Sequence, residues 1–450
     1  MTKNISQKLC ASFAVMCLAV SGALVFGWSL ARAGNGAGGG ASAAADVPPL
    51  ESRAAAKKID TVDDVPYRGR LALMRAQEES DRGDLKAAIE ELRDFLTDHP
   101  DNDHFILRNH LGNLLVQAGK PEEALTEYQA AVSLENRFTQ GWLNLGESAY
   151  NLGRYDVAAG ALQNGYEQSE HKQSTLLYYC AAAYLMAKDP ASAVPLLEEL
   201  VGGDFGRPKL EWFRALIAAC AEIKDEERGR KAADLLVKVY PDDAGAWYLA
   251  FQFYAGIGDY EQAAVALKVA DYIEPLARQQ AKQLGDVFAT IKVPSLASSH
   301  YQRVIGDSSG TARDYEKLAS AYLASYDTDA ASRAIENGLK IGPTYRLWSL
   351  LGDTRFIQLD YTGAFDAYRE CAELDSTQGR PLLMMGYCAL QAGRTDEAVP
   401  YLERALAFPD QKMTAEQLLA KAGPAAAAAE GPEADGSDEL IEEARRDEGR

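Results

Sequence analysis

From about Gly69 onward this chain repeats itself every 33 to 36 residues, and that period restricts its fold more than any other feature. Units begin near Gly69, Phe105, Thr139, Ser174, Leu210, Ala244, Arg278, Ala312, Tyr345 and Gly379. The intervals are 36, 34, 35, 36, 34, 34, 34, 33 and 34. A segment of that length is one supersecondary unit, too small to enclose a core. It buries its apolar face only by stacking on its neighbours.

The shared positions read as helix, turn, helix. Trp142, Leu145 and Gly146 open one unit, Trp348, Leu351 and Gly352 another, and Trp247 with Tyr254 a third. Residues three and four apart form the buried stripe of a first helix. A small residue (Gly112, Gly146, Gly285, Gly352, Gly386) lets the second helix come close. Ala118-Gly119-Lys120, Leu152-Gly153-Arg154, Ile257-Gly258-Asp259 and Ala392-Gly393-Arg394 supply the turn, where glycine takes the left-handed conformation that ends a helix. The second helix carries Ala and then a bulky residue four later, as in Ala124/Tyr128, Ala297/Tyr301 and Ala364/Tyr368. Pro100, Pro241, Pro275, Pro343 and Pro409 close units, whereas Pro121, Pro190 and Pro294 fall in a first helical turn.

On these residues the chain resembles the tetratricopeptide repeat (TPR) superfamily over roughly 345 of its 450 residues. The resemblance implies an all-α fold: a right-handed superhelical solenoid of about ten TPR hairpins, with a concave groove lined by the first helices. The unit near Leu210 departs from the pattern. Gly229 stands where a small alanine is expected and Asp225-Glu226-Glu227-Arg228 replaces the turn glycine, so a distorted or flexible hairpin is expected there. After the array (67–412), Thr414-x-x-Gln417 resembles a capping box that would open a covering helix over 413–422. The Ala-, Gly-, Pro- and acid-rich run 423–450 reads as a disordered tail.

Ahead of the array, Lys3 and Lys8 precede an uncharged stretch from Leu9 to Leu30, followed by Ala31-Arg32-Ala33. Two readings of 1–33 stand. The small-x-small site fits a cleaved signal peptide, and a 22-residue apolar run is long enough for an uncleaved membrane anchor. Either way the body is exported, periplasmic and soluble or held at the inner membrane. Residues 34–66 read as a flexible Gly/Ala/Pro linker.

The formal charge of −20, with 66 acidic against 46 basic residues and no basic run, excludes a nucleic-acid binder. Cys180, Cys220, Cys371 and Cys388 lack metal-site spacing and read as buried free thiols; bridges Cys180–Cys220 or Cys371–Cys388 remain open. No phosphate loop or nucleophile elbow occurs, and His99, His104 and His110 straddle a helix junction. The reading is therefore of a non-enzymatic protein, with no cofactor and no metal.

In the TPR architecture positions 2, 5, 9, 12 and 13 of the first helix face the groove. They are Leu143, Glu147 and Tyr150, then Tyr178, Leu185 and Met186, then Tyr248 and Gln252, then Asp353, Phe356 and Ile357, then Leu383, Tyr387 and Leu390. The candidate partner-binding set is Leu143, Glu147, Tyr150, Tyr178, Met186, Tyr248, Gln252, Phe356 and Tyr387, suited to an apolar or aromatic-anchored peptide or helix. The competing reading is that these side chains pack against neighbouring hairpins.

Tyr240-Pro241-Asp242-Asp243 before Trp247, Gly258-Asp259-Tyr260, Val293-Pro294-Ser295 and Leu350-Leu351-Gly352-Asp353 are similar to the periplasmic repeat proteins that accompany TonB–ExbB–ExbD energy transducers. That resemblance implies assistance to TonB-dependent transport in the bacterial envelope, with a TonB/ExbB/ExbD-type inner-membrane complex as partner. The alternative is an assembly factor for envelope polysaccharide, pilus or cytochrome machinery.

Overall fold

The computed structural model describes residues 65–169, 172–306 and 310–422. The expected signal or anchor, the linker to residue 64 and the tail lie outside them. Among the described residues there are 21 α-helices and no strand. The chain falls into two compact units, one ending at Phe253 and one beginning at Tyr254. The division falls inside the helix Ala244–Gly256.

The first unit contains α1 (Tyr67–Asp81), α2 (Leu85–Asp98), α3 (Phe105–Gln117), α4 (Pro121–Leu134), α5 (Thr139–Asn151) and α6 (Tyr155–Gln168). It continues through α7 (Ser174–Met186), α8 (Pro190–Val201), α9 (Leu210–Glu222) and α10 (Glu226–Val239) into α11 (Ala244–Gly256). Each helix from α1 to α9 packs on the next. The first helices also meet one another, α1 with α3 and α3 with α5.

The second unit contains α12 (Tyr260–Ile273), α13 (Arg278–Thr290), α14 (Pro294–Ile305), α15 (Ala312–Ala324), α16 (Thr328–Ile341) and α17 (Tyr345–Ile357). After these come α18 (Tyr361–Leu374), α19 (Arg380–Gln391), α20 (Thr395–Ala405) and α21 (Pro409–Ala422). Each of these too packs on its successor, and α15 also touches α17.

The turn inside every hairpin passes through one left-handed residue. Five are the glycines Gly83, Gly119, Gly153, Gly258 and Gly393. The other five are Lys188, Lys224, Lys292, Tyr326 and Leu359, with φ between 58° and 62°. From Gly83 to Gly393 these residues recur at the same intervals as the unit starts, so the repeat is a repeat of turn geometry. In six of the hairpins an aspartate follows and caps the second helix. Asp84, Asp189, Asp225, Asp259, Asp327 and Asp360 each accept the N–H three residues on.

The core matches the reading of the second helices: Ala124/Tyr128, Ala297/Tyr301 and Ala364/Tyr368 are all buried. Under the bulky residue lies the expected small one. A Cβ on Gly112, Gly285 or Gly352 would come within 2.5 to 2.7 Å of the ring of Tyr128, Tyr301 or Tyr368.

Three expectations are corrected. The hairpin of α9 and α10 is regular, not distorted. Lys224 takes the left-handed turn position, Asp225 caps α10, and Gly229 leaves the room that the Phe253 ring fills, 2.4 Å from where a Cβ would stand. In α17 the buried stripe runs through Leu347 and Leu350, one residue off, and Trp348 and Leu351 are half-buried. Leu347 is drawn inward because Gly338 of α16 opens space against it. The last helix starts at Pro409, so Thr414 is interior to it and opens no capping box. Proline suits the first helical position, where no N–H is needed and its fixed φ is already helical.

Candidate functional site

Viewed along the first helices, each unit presents a face whose side chains come from the second, fifth, sixth and ninth helical positions. In the first unit this face is amide-rich. Asn144 of α5 donates from Nδ2 to Asn109 Oδ1 (2.8 Å) and Asn113 Oδ1 (3.3 Å) of α3. The Tyr128 hydroxyl donates to the same Asn113 oxygen at 2.8 Å, and Gln140 Nε2 donates to Asn144 Oδ1 at 2.7 Å.

Each side-chain amide offers one acceptor oxygen and two N–H donors. Here all three asparagine oxygens are used. The Nδ2 groups of Asn109 and Asn113 meet no acceptor among the described residues. One turn beyond Asn144 stands Glu147, half-buried, with no cation or donor among the described residues on its carboxylate. Burial pushes its carboxyl above the usual range.

The same ninth position in the second unit is compensated from within. Asp286 receives the Tyr301 hydroxyl (2.7 Å) and Lys317 Nζ of the next first helix (2.5 Å). Asp353 receives the Tyr368 hydroxyl (2.6 Å) and Arg380 Nη2 (2.9 Å), while Arg380 Nη1 reaches Ser349 at 3.1 Å. Lys282 Nζ lies 2.5 Å from Asp314 Oδ1, with Arg278 3.2 Å from the other oxygen. Burial opposes ionisation of Asp314, but Lys282 and the Thr311 N–H and hydroxyl outweigh it and hold the carboxyl down at about 2. Lys282 and Arg380 are thus committed to ion pairs that tie consecutive first helices together.

The predicted groove residues divide. Tyr150 and Phe356 are buried, at 7% exposure each. The Tyr150 ring meets Tyr155 at 5.2 Å edge-on, and Phe356 sits between Tyr361 and Tyr387 at 5.7 and 5.5 Å. Leu143 covers Gly165, where a Cβ would stand 2.6 Å from its Cδ2. Leu143 and Tyr150 pack within their own hairpin, and Phe356 packs against its own hairpin and the next. Glu147, Tyr178, Tyr248 and Tyr387 are half-buried, with Tyr248 leaning on Phe251 at 5.5 Å. Met186 and Gln252 are exposed.

Asn109, Asn113 and Asn144 were missing from the expected set. The signal for Asn113 is a polar residue directly after the small glycine, as in Gly112-Asn113, with a tyrosine 16 residues beyond the glycine. Gly285-Asp286/Tyr301 and Gly352-Asp353/Tyr368 repeat it.

All four cysteines of the helices are buried free thiols, including both pairs for which a bridge was open. Burial pushes Cys180, Cys371 and Cys388 up to about 12 and Cys220 to about 11. Among the described residues no group of three His, Cys, Asp or Glu side chains is placed to hold a metal ion. His104 Nδ1 instead accepts the Ile106 N–H, and His99 stacks on Phe95. No described helix is long and apolar enough to cross a membrane.

Comparison with known proteins agrees with this geometry. Two tetratricopeptide-repeat family models match, one at residues 73–137, 109–172 and 143–208, the other at 380–409. The human protein O-mannosyl-transferase TMTC1 is 28% identical over 171 residues, which is 37% of this chain and 19% of that protein. The chain thus spans about a fifth of that relative.

Among solved structures, that of MamA is 20% identical (TM-score 0.35), covering 38% of this chain and 94% of MamA. Naa15/Naa10 bound to HypK-THB is 15% identical (TM-score 0.40; 82% and 64%), and yeast Tom70 12% identical (TM-score 0.30; 79% and 95%). The repeat is one that generally serves as a non-enzymatic scaffold for protein–protein interaction. By the two family-model matches, the chain carries tetratricopeptide repeats, at 73–208 and again at 380–409.

Proposed function

We propose that the first-helix face of the N-terminal unit takes up an extended polypeptide segment across α3, α5 and α7. One observation carries this reading. Among the described residues the amide nitrogens of Asn109 and Asn113 meet no acceptor and the Glu147 carboxylate, one turn beyond Asn144, meets no partner, with half-buried Tyr178 on the next first helix. A polypeptide in extended form presents backbone C=O and N–H groups in alternation, so it needs both donors and acceptors from its receptor. Tyr178 and exposed Met186 offer apolar surface beside them. In the second unit the corresponding charges are satisfied internally, which makes that face a tie between hairpins.

The setting proposed is the bacterial envelope, in the company of a TonB/ExbB/ExbD-type complex. It is supported by the basic start, the uncharged run Leu9 to Leu30, the Ala31-x-Ala33 site and the resemblance of the segments around Trp247 and Gly352. A photo-crosslinking residue at Met186, on the first-helix face, should capture a polypeptide in the cell of origin. The same residue at Lys231, on the exposed side of α10, should not. Equal capture at both sites would contradict the binding reading. A Met186 adduct containing pilin, cytochrome or polysaccharide-assembly proteins would contradict the TonB setting alone.

A further inference from the structure

We infer that Glu147 selects a basic side chain, lysine or arginine, on the segment bound to the first-helix face. This rests on the binding reading above and adds the chemistry of the ligand. The argument is one of register. At the ninth position of three first helices, two groups satisfy the polar side chain: a tyrosine from the second helix and a donor from the next first helix. Asn113 has Tyr128 and Asn144, and Asp286 has Tyr301 and Lys317. Asp353 has Tyr368 and Arg380.

At Glu147 both are replaced by residues that leave the carboxylate alone. Leu162 stands 16 residues after Gly146, where Tyr128, Tyr301 and Tyr368 follow Gly112, Gly285 and Gly352, and its side chain packs against Gly146. Tyr179 occupies the sixth position of α7, where α5 has Asn144 and α15 has Lys317. A carboxylate held half out of water without a counter-charge is disfavoured, and a cation supplied from outside relieves that cost.

Glu147 is reachable, since it is half-buried and not sealed in. The ligand's cation would take the place that Lys317 takes at Asp286. The chain's charge of −20 favours the approach of basic segments over acidic ones.

The test is selection of random decamers displayed on phage against the full chain. Wild-type protein should enrich peptides with Lys or Arg at one fixed position. A synthetic peptide of that sequence should bind Glu147→Gln about tenfold more weakly, the usual weight of a charge-assisted hydrogen bond. The same peptide with its basic residue changed to norleucine should bind wild type and Glu147→Gln equally, and Glu147→Lys should enrich Asp or Glu instead. Enriched peptides without a fixed basic residue, or equal binding of the basic peptide to wild type and a folded Glu147→Gln, overturn the inference and leave the binding face standing. Failure of wild-type protein to enrich any peptide overturns both.

Discussion

Tyr368 and Asp353, 15 residues apart on the two helices of one hairpin, are joined by a 2.6 Å hydrogen bond from the phenol to Oδ1. The same carboxylate oxygen takes Arg380 of the following hairpin at 2.9 Å, so one aspartate closes a hairpin and fastens the next. Tyr368 is 1% exposed. Removing the hydroxyl removes a bond to a charged acceptor and leaves the ring in place. Tyr368→Phe should lower unfolding stability by about 1.5–3 kcal/mol in urea titration. An unchanged midpoint and slope would show that the contact contributes nothing net.

Beneath that ring, Gly352 has no room for a methyl group: a Cβ would lie 2.5 Å from Tyr368 Cε1. Gly352→Ala should cost about 1–3 kcal/mol by overpacking. Gly160 of α6 faces open space on a regular helix. Gly160→Ala should therefore stabilise by about 0.5–1 kcal/mol, since there glycine contributes only backbone freedom. Thermal melting of the two variants should move in opposite directions.

Lys224 and Leu359 sit at φ 58° and 62°, where a Cβ crowds the following carbonyl. Leu359 is 69% exposed and gives little packing in return. Lys224→Gly and Leu359→Gly should each raise stability by about 1 kcal/mol, the usual cost of a side chain in that region. Destabilisation in both would mean that the turns are held by side-chain contacts and not by backbone preference.

Asp314 gives the array an acid-sensitive tie. Its carboxyl is held at about 2, below the ordinary value near ~3.9, so its contribution is fully present above the ordinary value and lost as pH falls toward 2. Asp314→Asn should be less stable than wild type by roughly 2 kcal/mol at pH 6, the worth of a shift of that size. The gap should narrow through pH 4 to 2, measured as paired urea midpoints. A gap independent of pH would remove the ion pair with Lys282 from the account.

Much of this architecture was legible because the repeat is written in turn chemistry and residue size. Gly119, Gly153, Gly258 and Gly393 marked the turns, and the Ala-to-bulky pairs marked the second helices. The other turns were harder to see. Lys188, Lys224, Lys292, Tyr326 and Leu359 take a conformation that their side chains do not advertise, and only the spacing and the aspartate after four of them betray it. The candidate site was less legible still. Position along a first helix gives the direction of a side chain but not its depth. Tyr150 and Phe356 therefore point as expected, yet are covered by Tyr155, Tyr361 and Tyr387. Whether a carboxylate is spent depends on partners about 30 residues away, which is why Asp286 and Glu147 look alike in sequence and differ in the fold.

The central claim, that the first-helix face of the N-terminal unit is the ligand surface, is tested most directly by hydrogen exchange of the full chain with and without a saturating selected peptide. The account predicts slowed exchange in α3, α5 and α7 (105–117, 139–151 and 174–186), with α2, α4 and α6 unchanged. Protection on those second helices, with the first helices unaffected, would contradict it.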